Sequence, residues 1–249
     1  MKVTVVGFWG AYPAMGEASS CYLIQKDGFN LLVDCGSGAL SQLPKYMDPY
    51  DLDAVVLSHY HTDHIADIGV LQHLIKVQNL IRNEKRSLKI YGHAEDQTNF
   101  DDLTSSDTKG IAYLPSETLR LGPFTIDFLK TVHSVPCYAM RITDGEKTVV
   151  YTADSAYQET FIPFSKNADL LITDCNFYAG QDAAKAGHMT SEEGARMADQ
   201  AEVKTLLLSH HPHFGEREQL VNEASQLFSG EILLAKTGLQ WLGSHKQFS

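Results

Sequence analysis

The chain has 249 residues, 43% hydrophobic and 20% charged, and its 31 acidic and 20 basic side chains give a formal net charge of −11. This is ordinary globular composition, which leaves no basis for intrinsic disorder, and the negative charge argues against a protein built to grip a long nucleic-acid backbone. No run approaches the roughly 18 apolar residues of a membrane span, and the opening MKVTVVGFWG lacks the apolar stretch and cleavage site of a secretion signal, so a soluble protein is expected.

In chain order, MKVTVVGF reads as a strand, followed by CYLIQ and FNLLVDCG around the hairpin turn Lys26-Asp27-Gly28. SGALSQLPKY reads as helical. DAVVLSH is a buried strand by its continuous apolar run, and IADIGVLQHLIKVQNLIRNE carries apolar residues at helical spacing. SLKIYGH is a strand. FTIDFLKTVH, CYAMRIT and TVVYTADS then repeat the opening pattern, the last two joined by Asp144-Gly145-Glu146-Lys147. ADLLITDCNF is a strand, TSEEGARMADQA a helix, KTLLLSH a strand, REQLVNEASQLF a helix and EILLAKTGLQWL one final strand. The strand-rich pattern occurs twice without a Pro/Gly/Ser-rich linker. It predicts one domain over residues 1–249, an α/β fold of two similar halves packed sheet to sheet with helices outside, that is, a four-layer αβ/βα sandwich. Cys21, Cys35, Cys137 and Cys175 are scattered among apolar strands with no C-x-x-C pair. They read as small buried hydrophobes, which points to a reducing cytoplasm.

The segment from Ser58 to His64, SHYHTDH, lies where a buried strand gives way to a helix. Residues two apart on an extended chain share a face, so His59 and His61 can bind one ion. Asp63 and His64, as the chain turns, can reach a second. A core rejects uncompensated polar side chains and a surface loop has no need of three imidazoles, so a purely structural role explains this cluster poorly. Three more candidates end apolar strands: His133 after FTIDFLKTV, Asp154 after TVVYTA and His210 after TLLLS. A carboxylate can give one oxygen to each of two ions, which makes Asp154 the expected bridge. The expected distribution is His59, His61 and His133 on one ion, and Asp63, His64 and His210 on the other.

In their order along the chain these motifs resemble those of the metallo-β-lactamase superfamily of hydrolases: Asp34 in LLVDCG, His59 to His64, His133, Asp154 in YTADS and His210 in LLLSH. The resemblance implies the metallo-β-lactamase type of sandwich and two divalent metal ions. It also implies that Asp34 orients a ligand imidazole rather than binding metal, a helix cap being the other reading. Nitrogen and carboxylate ligands without thiolate suit zinc, although manganese, iron or cobalt accept the same set. Such a site lowers the pKa of bound water to about 7, so a metal-bridging hydroxide is the expected nucleophile. Asp63, the first catalytic candidate, would orient that water and assist its deprotonation.

Two segments narrow the branch. His133-Ser134-Val135-Pro136 followed by Tyr138, and Gly187-His188-Met189-Thr190, are similar to the ribonuclease Z-like members, in which a His-x-Thr element accompanies phosphodiester substrates. His188, the second catalytic candidate, precedes a capping-box signature, Thr190-x-x-Glu193, and reads either as a general acid or phosphate donor or as a neighbour of the cap. The long tRNA-gripping arm of ribonuclease Z is missing: His133 and Asp154 are 21 positions apart, filled by a hairpin. The expected function is therefore a phosphodiesterase acting on a small cyclic or linear phosphodiester. The alternatives are a tRNA 3′-end endonuclease and a lactone or thioester hydrolase. A homodimer is suggested by the resemblance alone. His73, His93 and His245 read as structural, His211 and His213 are open as substrate contacts, and Tyr60 and Tyr138 read as packing residues that could also wall the pocket.

Overall fold

The computed structural model describes residues 1–243; His245 lies outside the described residues. The first half is built on β1 (Lys2–Gly7), β2 (Cys21–Lys26), β3 (Phe29–Val33), β4 (Ala54–Val56), β5 (Leu88–Gly92) and β6 (Thr108–Ala112). Its helices are α1 (Ala39–Gln42), α2 (Thr62–Ile65), α3 (Ile68–Arg82) and α4 (Gln97–Asp101). The second half is built on β7 (Leu119–Leu121), β8 (Phe124–Lys130), β9 (Tyr138–Thr143), β10 (Thr148–Tyr151), β11 (Leu170–Asp174), β12 (Thr205–Ser209) and β13 (Glu231–Leu234). Its helices are α5 (Phe161–Phe164), α6 (Ser191–Gln200) and α7 (Arg217–Ala224), and β14 (Gln240–Trp241) ends the described chain.

Each half is an antiparallel meander that becomes parallel. The first sheet runs β14-β1-β2-β3-β4-β5-β6 and the second β13-β12-β11-β10-β9-β8-β7. The switch to parallel pairing comes at β3–β4 in the first and at β10–β11 in the second. Asp27 and Gly28, both at positive φ, turn the first hairpin as the sequence predicts.

Three apolar layers follow from the strands' alternation. Val3, Val33, Val56, Ile126, Met140, Ile172 and Leu207 meet between the sheets. Leu23, Leu32 and Val55 face outward beneath Leu71 and Ile75 of α3, whose buried stripe Ile68, Leu71, Ile75 and Asn79 keeps helical spacing. Leu171, Leu206 and Leu208 lie beneath Ala195, Ala198 and Leu220. These layers make the α/β, four-layer αβ/βα sandwich that the sequence predicts, with a mixed sheet in each half. All four cysteines are buried and free. No helix of the described residues is long and apolar enough to cross a membrane.

The final segment departs from expectation. EILLAKTGLQWL is two strands, not one: β13 borders β12 in the second sheet, while β14 crosses to pair with β1 in the first. Gly238 at φ 84 turns the chain between them. SGALSQLPKY is also shorter as a helix than its composition suggests, because Pro44 converts its end to a 3₁₀ turn over Leu43–Lys45.

Candidate metal centre

Every residue of the predicted cluster leaves a strand end or the turn that follows it. β4 gives way to Ser58, whose N–H and hydroxyl each donate to Asp34 at 2.8 Å. His61 stands at the N-terminus of α2, and that single turn carries Asp63 and His64 inward. Gly36 makes the approach possible, since a Cβ there would lie 2.0 Å from the Asp63 carbonyl oxygen. Asp34, Ala153 and His210 hold left-handed backbone, with φ of 56°, 52° and 54°. Such conformations cost non-glycine residues on the order of 1–3 kcal/mol each, so strain concentrates where β3, β10 and β12 deliver their side chains.

The converging atoms form three overlapping groups that all include Asp154, two of them made of the predicted ligands and the third of Asp154, Asp174, His188 and His210. His59, His61, His133 and Asp154 each bring an atom within 4.8 Å of the others, and Asp63, His64, Asp154 and His210 do the same. Asp154 Oδ2 lies 3.7 Å from Nε2 of both His59 and His133. Its Oδ1 lies 3.2 Å from His64 Nε2 and 3.3 Å from His210 Nε2. One oxygen therefore faces each of the two groups of predicted ligands.

Divalent ions suit this donor set. His59 Nε2, His64 Nε2 and Asp154 Oδ1 are buried with no hydrogen-bond partner among the described residues, a loss of about 1–3 kcal/mol apiece if nothing satisfies them. His61 Nδ1 and His133 Nε2 face each other at 3.0 Å. The opposite ring nitrogens are anchored. His64 Nδ1 donates to Asp34 Oδ2 at 2.8 Å, and that oxygen also accepts from the Tyr151 hydroxyl at 2.9 Å. His133 Nδ1 donates to the Gly187 carbonyl at 2.9 Å, and His59 Nδ1 lies 3.0 Å from the Ser58 hydroxyl. Anchoring of this kind fixes the tautomer and leaves Nε2 free for an ion. Asp34 thus orients His64, and the cap reading falls away because α1 starts after Gly38 with no side-chain cap.

The electrostatics are those of a cation site. Burial alone would raise the Asp154 carboxyl, but His210, His64 and His59 override it and hold it well below the usual carboxylate range. Asp63 is lowered against burial by His210 and His64, and its Oδ2 accepts the Ala11 N–H at 2.8 Å. Burial pushes His59 and His61 down, helped by neighbouring imidazoles. His64 is pushed up to about 10 against its burial by Asp154 and Asp34.

His188 borders both groups, its ring centroid 5.3 Å from that of His133 and 5.1 Å from that of His210. Its Nδ1 meets Asp174 Oδ2 at 2.8 Å. Burial opposes charge on His188, and the Asp174 carboxylate reverses the balance, so its pKa is raised. Gly187 supports this corner: at φ 77 its space is closed by His133 Nδ1, 2.8 Å from where a Cβ would sit. Thr190 and Glu193 do form a reciprocal capping box on α6, but His188 faces the site rather than the surface.

Asp174 escapes the sequence reading. It ends LLITD as Asp34 ends LLVD, and that placement was the available signal. Its Oδ1 accepts the Asn176 N–H at 3.1 Å and lies 3.6 Å from His210 Nδ1, so it braces two histidines. Of the residues left open, His211 is fully buried, donates to the Leu208 carbonyl at 2.8 Å and packs against Phe8, which removes it from any substrate. His213 is stacked between Trp9 and Tyr12, with centroids at 4.6 and 3.8 Å. Tyr138 is buried and bonded to Glu95, while Tyr60 is buried with its hydroxyl donating to the His93 carbonyl at 2.6 Å.

The chain is similar to known proteins over nearly its whole length. It is 57% identical over 244 residues to YhfI of Bacillus subtilis (strain 168), described as a probable metallo-hydrolase, covering 98% of this chain and 100% of that one. The crystal structure of YhfI, a metallo-beta-lactamase fold protein, superposes with a TM-score of 0.95, covering 96% of this chain and 98% of that one at 56% identity. A ribonuclease Z of Haloarcula marismortui is 26% identical, covering 96% of both chains. A diphosphatase of the PhnP family shares the fold, with a TM-score of 0.78 at 18% identity over 97% of each chain. The model of the Beta-lactamase superfamily domain matches residues 29–211, which contain all seven converging side chains together with His188 and Asp174. The chain therefore belongs to the metallo-β-lactamase superfamily.

Proposed function

We propose that this protein is a dinuclear metal-dependent phosphodiesterase that cleaves a small cyclic or linear phosphodiester, with zinc as the preferred ion and manganese as a substitute. The observation that carries the reading is His188 held by buried Asp174 at 2.8 Å beside both ligand groups. A phosphodiester with an alkoxide leaving group needs a proton donor there; an alkyl ester or lactone would need one too, and the similarity to a ribonuclease Z favours the phosphorus ester.

His59, His61 and His133 would hold one ion and Asp63, His64 and His210 the other, with Asp154 between them. When bound, the ions supply an activated water and neutralise charge on the phosphate. Asp63 takes the proton of the attacking water. The water oxygen forms the new P–O bond, the bond to the leaving oxygen breaks, and His188 delivers a proton from Nε2 to that oxygen. Asp174 accepts from Nδ1, which fixes the ring and favours its protonated form.

The hairpin of β9 and β10 between His133 and Asp154 supports small substrates, because it occupies the place where an RNA-gripping arm would be inserted. The deciding experiment is a panel of aryl phosphodiesters, aryl esters and lactones offered to the zinc- or manganese-loaded protein. Preference for the phosphodiester is expected, and turnover confined to esters or lactones would overturn the reading.

A further inference from the structure

A cavity of about 140 Å³ opens beside the metal centre, between Tyr60 and His61 on one side and Val135 and Pro136 on the other. His93, Asp96 and Asn99 also line it. His61 is one of the converging histidines and Val135 and Pro136 follow His133 directly, so the cavity adjoins the first ligand group.

The sequence gives His93 a structural role, and the structure gives its nitrogens none. The residue is 1% exposed, and neither ring nitrogen completes a hydrogen bond among the described residues, although the Pro136 carbonyl lies nearby. Its ring rests against Tyr60, centroids 4.5 Å apart, and Gly92 permits this because a Cβ there would lie 2.3 Å from the Tyr60 hydroxyl. A buried imidazole without partners is costly unless something else satisfies it.

The remaining polar groups define the missing partner. Asp96 accepts from the Asn99 backbone N–H at 3.2 Å and from its side-chain amide at 2.7 Å, which leaves the Asn99 Oδ1 as a free acceptor. A neutral imidazole adds one donor and one acceptor. The carboxylate repels an anion, so this cavity does not take the phosphate itself. A neutral ring bearing both N–H donors and acceptors, placed between an aromatic edge and a proline, satisfies all three residues.

We infer that this cavity is a nucleobase subsite, in which His93 and Asn99 bond the edge of a base whose phosphodiester lies on the metal centre. The inference rests on the phosphodiesterase reading and deepens it, making the substrate a nucleotide.

The test follows the His93 ring nitrogens by NMR in zinc-loaded protein carrying ¹⁵N-labelled histidine. Adenosine 5′-monophosphate and cytidine 5′-monophosphate are the probes, and ribose 5-phosphate is the base-free control. A shift of His93 with at least one nucleotide and none with the sugar phosphate is expected. No shift with either nucleotide, or an equal shift with ribose 5-phosphate, would overturn the subsite. Kinetics supply a second measurement. His93→Phe, which keeps the packing on Tyr60, and Asn99→Leu should each raise KM for cyclic nucleotides about three- to tenfold more than for bis(4-nitrophenyl) phosphate. Equal changes on both substrates would count against the subsite. If the protein hydrolyses no phosphodiester at all, the phosphodiesterase reading fails while the NMR result still decides whether a base is bound.

Discussion

Half-buried His188 and fully buried Asp174 form a pair, Nδ1 to Oδ2 at 2.8 Å, in which the carboxylate also accepts the Ser155 N–H at 3.2 Å. Removal of the imidazole should leave the fold and both metal groups intact. His188→Ala is expected to lower turnover about a hundred- to ten-thousand-fold on a diester with an alkoxide leaving group, the usual range for general acid catalysis. The loss on a nitrophenyl diester should be much smaller, since that leaving group needs little protonation. Equal losses on both would make His188 a phosphate-binding residue instead.

Asp174→Asn tests the pair from its other side. The carboxylate raises the pKa of His188, and a general acid works while protonated, so activity should persist below that pKa and fall as pH rises through it. Without the charge the falling limb should move to lower pH. A pH–rate profile with an unmoved limb would leave Asp174 a purely structural brace.

Asp154 offers one oxygen to each group, at 3.2–3.3 Å on one side and 3.7 Å on the other. Elemental analysis of metal-replete protein should give close to two ions per chain. Asp154→Ala should weaken both together, whereas His210→Ala should weaken one more than the other. Retention of both ions at unchanged affinity in Asp154→Ala would remove the bridge.

Metal loading should release protons. In the metal-free chain Asp154 and its neighbours raise His64 to about 10 and raise His210 as well, against the effect of burial. Both rings therefore favour the protonated form, and an ion must displace protons to bind. Affinity should rise with pH across the neutral range and fall in acid, where His59 and His61 also take up protons. Calorimetric titration of zinc in buffers of different ionisation enthalpy measures the number released, and a value near zero would contradict this account.

Small diesters should be cleaved far better than precursor tRNA at matched salt. Salt must be fixed because phosphate contacts weaken steeply as it rises. Efficient, position-specific tRNA trimming at physiological salt would reverse the ranking.

What the sequence made legible was local or repetitive. SHYHTDH announces itself because four potential ligands between His59 and His64 have no ordinary structural use, and the strand-end positions of His133, Asp154 and His210 repeat one pattern. β6 was missed because TKGIA has a lysine, a glycine and little alternation, and β7 is three residues at a sheet edge. The crossing between β13 and β14 depends on a glycine turn whose destination only tertiary packing reveals. Asp174 ends an apolar strand as the ligands do and was missed all the same, because its partners His188 and His210 come from segments distant in the chain.

The seven converging side chains are drawn from both halves of the sandwich. His59, His61, Asp63 and His64 come from the first, and His133, Asp154 and His210 from the second. An ion held among them is a cross-link between two sheets as well as a reagent. By mass action, a ligand at a hundred times its Kd that binds only the folded chain adds about 2.7 kcal/mol of stability, a large share of what holds a typical domain together. Chelation would then loosen the sandwich as well as stop its chemistry, leaving a folded chain with a smaller margin of stability.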